Sequence, residues 1–341
     1  MTYSRGSTVA ALDFNSLVGT DPTTTQNTLN SVWGTGSGEF GYGQTPLTTV
    51  ATGGSITADN WFDLMSGVMT IGTHQGTSLT AMIAPSIGQV VTEDPALPSN
   101  LQKIYSKRFN AALQGSTTST TTENIGIWRN SLTFHHVITF SSGDAARYFF
   151  NMGGQLALTF NSPNGFGINQ LLNKLAMDCG TVLLSAPSIG TAEIAGVTYD
   201  GVSKIGGTAS AGFSGRYSQG EYALQNTNKI VPTLGYYGLN TTYQEIFKQT
   251  VGGFPSRYAY YEGSYISIQA KTNGAQGLNG DNGSIIEFQT IWNQVPNGLQ
   301  VSTGTTTTLT VKPPYLRSGI TKSWGTPVVT GTVDAEAYGG V

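Results

Sequence analysis

Three histidines, nineteen carboxylates and a single cysteine are the side chains with the widest chemical repertoire in these 341 residues. Histidine ligates metals and moves protons near neutral pH. His135 and His136, however, are adjacent in an alternating run, so on a strand they point to opposite faces and do not chelate one ion together. His136 falls on the apolar side and reads as a hydrogen-bonded core histidine. His74, in Thr73-His74-Gln75-Gly76, reads as a polar-loop residue bonded to backbone. Paired carboxylates would serve glycan cleavage. Here they are scattered: Glu93-Asp94 in a proline-flanked loop, Glu262 after three tyrosines, Glu287 on a strand. Tyr258, Tyr260, Tyr261, Glu262 and Tyr265 could stack a sugar ring beside one acidic acceptor. The same residues suit an aromatic interface core, the preferred reading, because tyrosine is enriched there. Asn279-Gly280-Asp281-Asn282-Gly283 is oxygen-rich like a calcium loop but lacks the bidentate glutamate, and turn chemistry accounts for it. Cys179 alone excludes an intrachain disulfide and a cysteine-built zinc site, and its apolar neighbours make it a buried small residue. No GxSxG, P-loop, Rossmann glycine run or HExxH occurs. The expectation is a protein without catalytic residues, cofactor or metal.

Composition points the same way. Charged residues make up 10%, against about 25% in an average soluble domain, and the 45 glycines are close to twice the usual share of about 7%. Thr, Ser, Asn and Gly stand where Lys and Glu would normally sit, which suits short strands, tight turns and surfaces that face other proteins. A net charge of −3 and a pI near 5.6 give no field to attract nucleic acid or anionic lipid. Lys103, Lys107 and Arg108 read as a solvated helix face. No window approaches the ~18 consecutive apolar residues of a membrane span. The first residues lack the apolar stretch of a secretory signal.

The elements that would position these residues come next. Residues 1–50, with isolated Leu12, Phe14, Leu17, Trp33, Phe40 and Tyr42, predict an extended arm that packs over its own body or a neighbour. Residues 51–115 predict a helical region. Trp61, Leu64, Met65, Val68 and Met69 have helical spacing after a Thr57 cap, with Gly72 as terminator. A second helix is expected from Ser99, after Pro98, to Gly115. Residues 116–122, STTSTTT, read as a polar linker. Residues 123–341 predict an antiparallel β-domain. Its strands include Leu132 to Phe140, a run ending at Phe160, Tyr258 to Ala270, Ser284 to Trp292, and two late segments near 303–311 and 324–333. Ile168, Leu171, Leu172, Leu175 and Ala176 predict a crossover helix, and Tyr243, Ile246, Phe247 and Thr250 a further short one. Asp200-Gly201 signals a hairpin, and 272–283 a long glycine-built loop. At residues 144–160 a polar turn leads through Tyr148, Phe149 and Phe150 to Gly153 and Gly154, expected to form a fold-determining corner between extended segments. The fold class is therefore α+β and β-rich: a small helical N-terminal layer, then a large antiparallel β-domain with crossover helices.

Residues 146–155, Ala-Arg-Tyr-Phe-Phe-Asn-Met-Gly-Gly-Gln, resemble the ARYFFNxGGQ signature of a family of tailed-bacteriophage virion structural proteins. Trp61-Phe62-Asp63-Leu64 leading to Thr73-His74-Gln75-Gly76, Gly235-Tyr236-Tyr237-Gly238-Leu239, and 273–283 with the strand beyond fit the same family. The resemblance spans roughly residue 41 to the C-terminus. Met152 and Leu156-Ala157-Leu158 depart from the family's smaller residue and more polar strand, so interface details are not carried over. The resemblance implies a location, the virion tail (baseplate, collar or fibre-attachment region). It also implies partners: other copies of the chain and neighbouring tail proteins. Synthesis would be in the bacterial cytoplasm. The alternative is a receptor- or glycan-binding tail fibre or spike using the Tyr258–Tyr265 cluster on a host surface glycan. A polysaccharide-degrading spike is a third and weaker reading.

Overall fold

The computed structural model describes residues 10–20, 25–86, 95–111, 117–124, 126–207, 225–252, 261–274, 283–295 and 298–335. Four helices come first: α1 (Ala11–Val18), α2 (Leu29–Val32), α3 (Ala58–Gln75) and α4 (Ala96–Ser106). The strands then form two antiparallel sheets and one short hairpin. The chain is α+β and β-rich, with a small helical N-terminal part, as its sequence pattern implies.

The first sheet has the order β1 (Thr118–Glu123), β12 (Thr306–Lys312), β3 (Gln155–Asn161), β4 (Thr181–Leu184), β7 (Val202–Ile205). The second has the order β13 (Val328–Ala335), β2 (Ser131–Thr139), β11 (Ile285–Asn293), β10 (Tyr265–Thr272), β9 (Gln244–Gly252), β8 (Gln225–Ile230). Strict alternation buries Leu132, Phe134, His136 and Ile138 of β2 against Ile286, Phe288 and Trp292 of β11 and Ile266, Ile268 and Ala270 of β10. The sheets meet near β1 and β13, where a Cβ on Gly331 would overlap the Thr122 hydroxyl and force that side chain to move. Trp292 closes the seam: its ring lies 6.4 Å from that of Phe160, and its Nε1 donates to Thr307 3.4 Å away. Where the sheets diverge, α6 (Ile168–Cys179) touches β3 on one side and β9 and β10 on the other. Its buried Leu171, Leu172 and Leu175 fill the gap.

Several expectations are corrected. Gly72 lies inside α3, where an added Cβ would overlap Leu79, and the helix ends at Gly76 in the left-handed conformation (φ 68°). His74 and Gln75 are therefore in the last helical turn and buried, not in a loop. Helix α4 begins before Pro98, which is tolerated in a first turn whose N–H groups have no helical acceptor, and it ends at Ser106 rather than near Gly115. Arg108 is not on a solvated helix face: it pairs with Glu39 and stacks on Tyr105 and Phe109. Residues 118–123 are no linker. Their threonines suit an extended chain and pair along β12 as an edge strand. Asp200-Gly201 joins strands of different sheets. The hairpin turn is Ala195-Gly196, between β5 (Ala192–Ile194) and β6 (Val197–Tyr199), with φ of 53° and 78°.

The expected helix over 243–250 is strand β9. Its register slips where Ile268 faces Phe247 but Gln269 faces Glu245, leaving Ile246 as the extra residue of a bulge. Ile246 and Phe247 are both buried in consequence, which reproduces helical spacing in an extended chain. The 272–283 loop lies outside the described residues except for 272–274 and 283. There Asn273 Oδ1 accepts from the Ser284 and Ile285 N–H groups.

Candidate functional site

The segment expected to be an extended corner is a helix, α5 (Gly143–Asn151). Ser142 caps it, its hydroxyl accepting from the Ala145 N–H at 3.0 Å, and Asp144 sits in the first turn where a negative charge complements the helix dipole. Residues 145–151 are all buried, so the helix is covered on every side. That placement leaves an arginine in the interior. Arg147 is 1% exposed, and burial of a guanidinium is tolerated only when its donors are matched.

They are matched by backbone. Arg147 Nη1 donates to the carbonyls of Gly38 (3.0 Å) and Phe40 (2.8 Å), Nη2 to those of Thr35 (3.0 Å) and Gly36 (3.4 Å). Nη2 and Nε also reach Asp144 Oδ1 at 2.9 and 3.2 Å. Asn151, one turn further on the same helix face, donates to the Gly41 carbonyl at 2.9 Å. The Tyr237 hydroxyl completes the knot, 2.7 Å from the Gly38 carbonyl and 2.6 Å from Asn151 Oδ1. Gly36 and Gly41 adopt φ of 55° and 86°, which turns successive carbonyls onto one cation. Burial works against the Arg147 charge, but Tyr237 and Asp144 outweigh it and raise its pKa. Burial likewise pushes the Tyr237 phenol well up.

The aromatics of α5 extend the knot to distant chain segments. Phe150 stacks on Tyr236 with ring centroids 4.2 Å apart, while Phe149 lies edge-on to Trp324 at 5.9 Å and 5.3 Å from Phe140. The turn out of the helix is equally constrained. Gly153 has φ 92°, and a Cβ there would sit 2.6 Å from that of Ala111; a Cβ on Gly154 would meet the Phe149 ring at 2.6 Å. Gly153 and Gly154 thus form a corner, but between a helix and a strand. Tyr148 covers Gly43, where a Cβ would come within 2.5 Å of its ring.

Helix α3 is latched to the same corner. His74 Nε2 donates to the Met152 carbonyl at 3.1 Å, and burial lowers the His74 pKa to about 4, so the ring is neutral. Gln75 donates to the Tyr42 hydroxyl (3.0 Å) and the Ile104 carbonyl (2.9 Å). His136 is a core histidine, 3.1 Å from the Thr122 hydroxyl and lowered to about 4 by burial. His135 faces outward to Asp334 at 3.1 Å.

Of the tyrosine cluster, Tyr258 and Tyr260 lie outside the described residues. Tyr261 packs against the core near Gly167, whereas Tyr265 on β10 is covered by the Lys248 ammonium, 4.0 Å from its ring centre. The two rings have different surroundings. Glu262 is half-buried. Among the described residues no group of three His, Cys, Asp or Glu is placed to hold a metal ion, and no helix is long and apolar enough to cross a membrane. Cys179 is buried, which drives its thiol pKa up and keeps it unreactive.

Arg147, Asn151 and Tyr237 were not singled out as a unit by residue type. Their signal was the spacing of four between Arg147 and Asn151, two polar groups in an apolar run, legible once the segment is known to be helical. The architecture defines an α+β, β-rich protein assembled around one buried polar knot. No protein-family model matches the chain, and no curated protein or solved structure matches it either.

Proposed function

We propose that this protein is a structural subunit of a tailed-bacteriophage virion, situated in the tail at the baseplate, collar or fibre-attachment region. It would assemble as a symmetric homo-oligomer and with neighbouring tail proteins. The observation that carries this reading is what the signature-like residues do. Arg147 and Asn151 bind the carbonyls of residues 35–41, Phe149 and Phe150 hold Trp324 and Tyr236, and Gly153 and Gly154 make room for Ala111 and Phe149. A run in which these six residues fix architecture suits a family defined by its shape in a particle rather than by a reaction.

The surface agrees. With few charges and with Phe166, Ile189 and Ile83 each at least 85% exposed, it offers apolar anchors of the kind that neighbouring subunits cover. The role is recognition by shape, without catalysis. Immunogold labelling of intact virions tests it. Label at the neck or central baseplate is expected; label at distal fibre tips would make host binding the leading function, and unlabelled particles would overturn the virion role.

A further inference from the structure

An open groove of about 440 Å³ lies between α3 and the segment that precedes β13. Helix α3 contributes Ser66, Met69 and Thr70; the segment contributes Tyr315, Arg317 and Ser318. Thr73 also lines it, but its hydroxyl is already donated to the Met69 carbonyl at 2.9 Å. Arg317 is the one charged side chain of this lining. Its Nε is enclosed with no hydrogen-bond partner among the described residues, its guanidinium carbon lies 5.4 Å from the centre of the Tyr315 ring, and its charge acts on His74. Among the described residues no carboxylate pairs with it.

A guanidinium is a rigid fork that matches a carboxylate with two parallel hydrogen bonds. Leaving it unmatched while partly withdrawn from water is unfavourable, in contrast to Arg147, whose donors are matched within the fold. The exposed side chains of the groove and of the adjoining turn of α3 add the second ingredient. Phe62, Met69 and Tyr315 are 61%, 47% and 47% exposed, and Phe62, Ser66, Met69 and Thr73 recur along the face of α3 opposite its buried stripe. Aromatic residues, methionine and arginine are the types enriched where proteins meet.

We propose that this groove docks an acidic segment of a neighbouring protein: a glutamate or aspartate carboxylate seats on Arg317, and an adjoining apolar residue lies on Phe62, Met69 and Tyr315. That the occupant is protein rests on the subunit reading above; the preference for a carboxylate rests on Arg317. The hydroxyls of Ser66, Thr70 and Ser318 line the groove as further donors to the carboxylate oxygens.

The test uses the full chain with ¹⁵N-labelled arginine, following the Arg317 Nε–H resonance, assigned by its loss in Arg317→Lys. Blocked Leu-Glu-Leu, blocked Leu-Gln-Leu and sodium acetate are titrated in turn. The glutamate peptide is expected to shift the resonance saturably, with the glutamine peptide and acetate each about tenfold weaker or more. Equal response to the two peptides, acetate binding as tightly as the glutamate peptide, or no saturable shift at all would overturn the proposal. Mass spectrometry of purified virions separates the two claims. Absence of the protein from particles together with a saturating glutamate peptide would sink the virion role and leave the groove standing.

Discussion

Two arginines with opposite fates organise this molecule. Arg147 is enclosed by α5 and a glycine-rich loop, and its donors are taken by four carbonyls and Asp144. Arg317 sits in a groove beside the Tyr315 ring, with no carboxylate paired to it among the described residues. The same side chain is a structural rivet in the first setting and an open valence in the second. Saturation of the hydrogen-bonding groups separates them, because an unmatched buried donor costs free energy that a fold recovers only by supplying an acceptor.

That contrast can be broken most severely at the corner beside Arg147. Gly153→Val requires a branched residue at φ 92° and a Cβ 2.6 Å from Ala111, so no soluble protein is expected on expression. Soluble, normally assembled Gly153→Val would show that the corner does not determine the fold. Asn151→Ala, which strips donors from the Gly41 carbonyl and a partner from Tyr237, should lower stability by about 1–3 kcal/mol in urea unfolding. An unchanged midpoint would reduce the knot to Arg147 alone.

Acid should loosen the latches around the knot. His74 and His136 both have pKa values lowered to about 4 by burial, so each is neutral in the fold and readily protonated in the unfolded chain. Their contribution is complete above the ordinary histidine value of about 6.5 and is lost as pH falls from there toward 4, by up to about 3 kcal/mol for each ring. Urea midpoints from pH 7 to 4 should fall along that window, with a shallower slope in His74→Gln and in His136→Gln. Equal slopes in both variants and the wild type would contradict the assignment. The smallest effect belongs to the outer face of the first sheet. There Ser119 pairs with Thr310 at 2.9 Å in the open, and Ser119→Ala should change stability by no more than about 0.5 kcal/mol.

The strands around Leu132, Ile266 and Ile286 were legible because one face of the sheet is buried and the other wet, which writes a period of two into the sequence. Helices α3 and α6 were legible for the corresponding reason. Helix α5 was not: it is short, and its polar positions Asp144, Arg147 and Asn151 flank three consecutive aromatics that read equally well as extended chain. Strand β9 was disguised by the bulge at Ile246, and β1 by threonines that suit a linker and an edge strand equally. The glycine corner could be read from Gly153 and Gly154, but not the knot. The acceptors of Arg147 lie more than 100 residues away in a loop whose composition says only that it turns. Nothing in the sequence around Arg317 distinguishes it from a solvated arginine; only the absence of a carboxylate partner among the described residues does.

Urea unfolding of Arg147→Gln and Arg317→Gln, side by side under one condition, tests the central distinction most directly. Loss of about 3–5 kcal/mol in the first and a change within about 0.5 kcal/mol in the second is the predicted result. Comparable losses in the two variants, or a wild-type midpoint for Arg147→Gln, would contradict it.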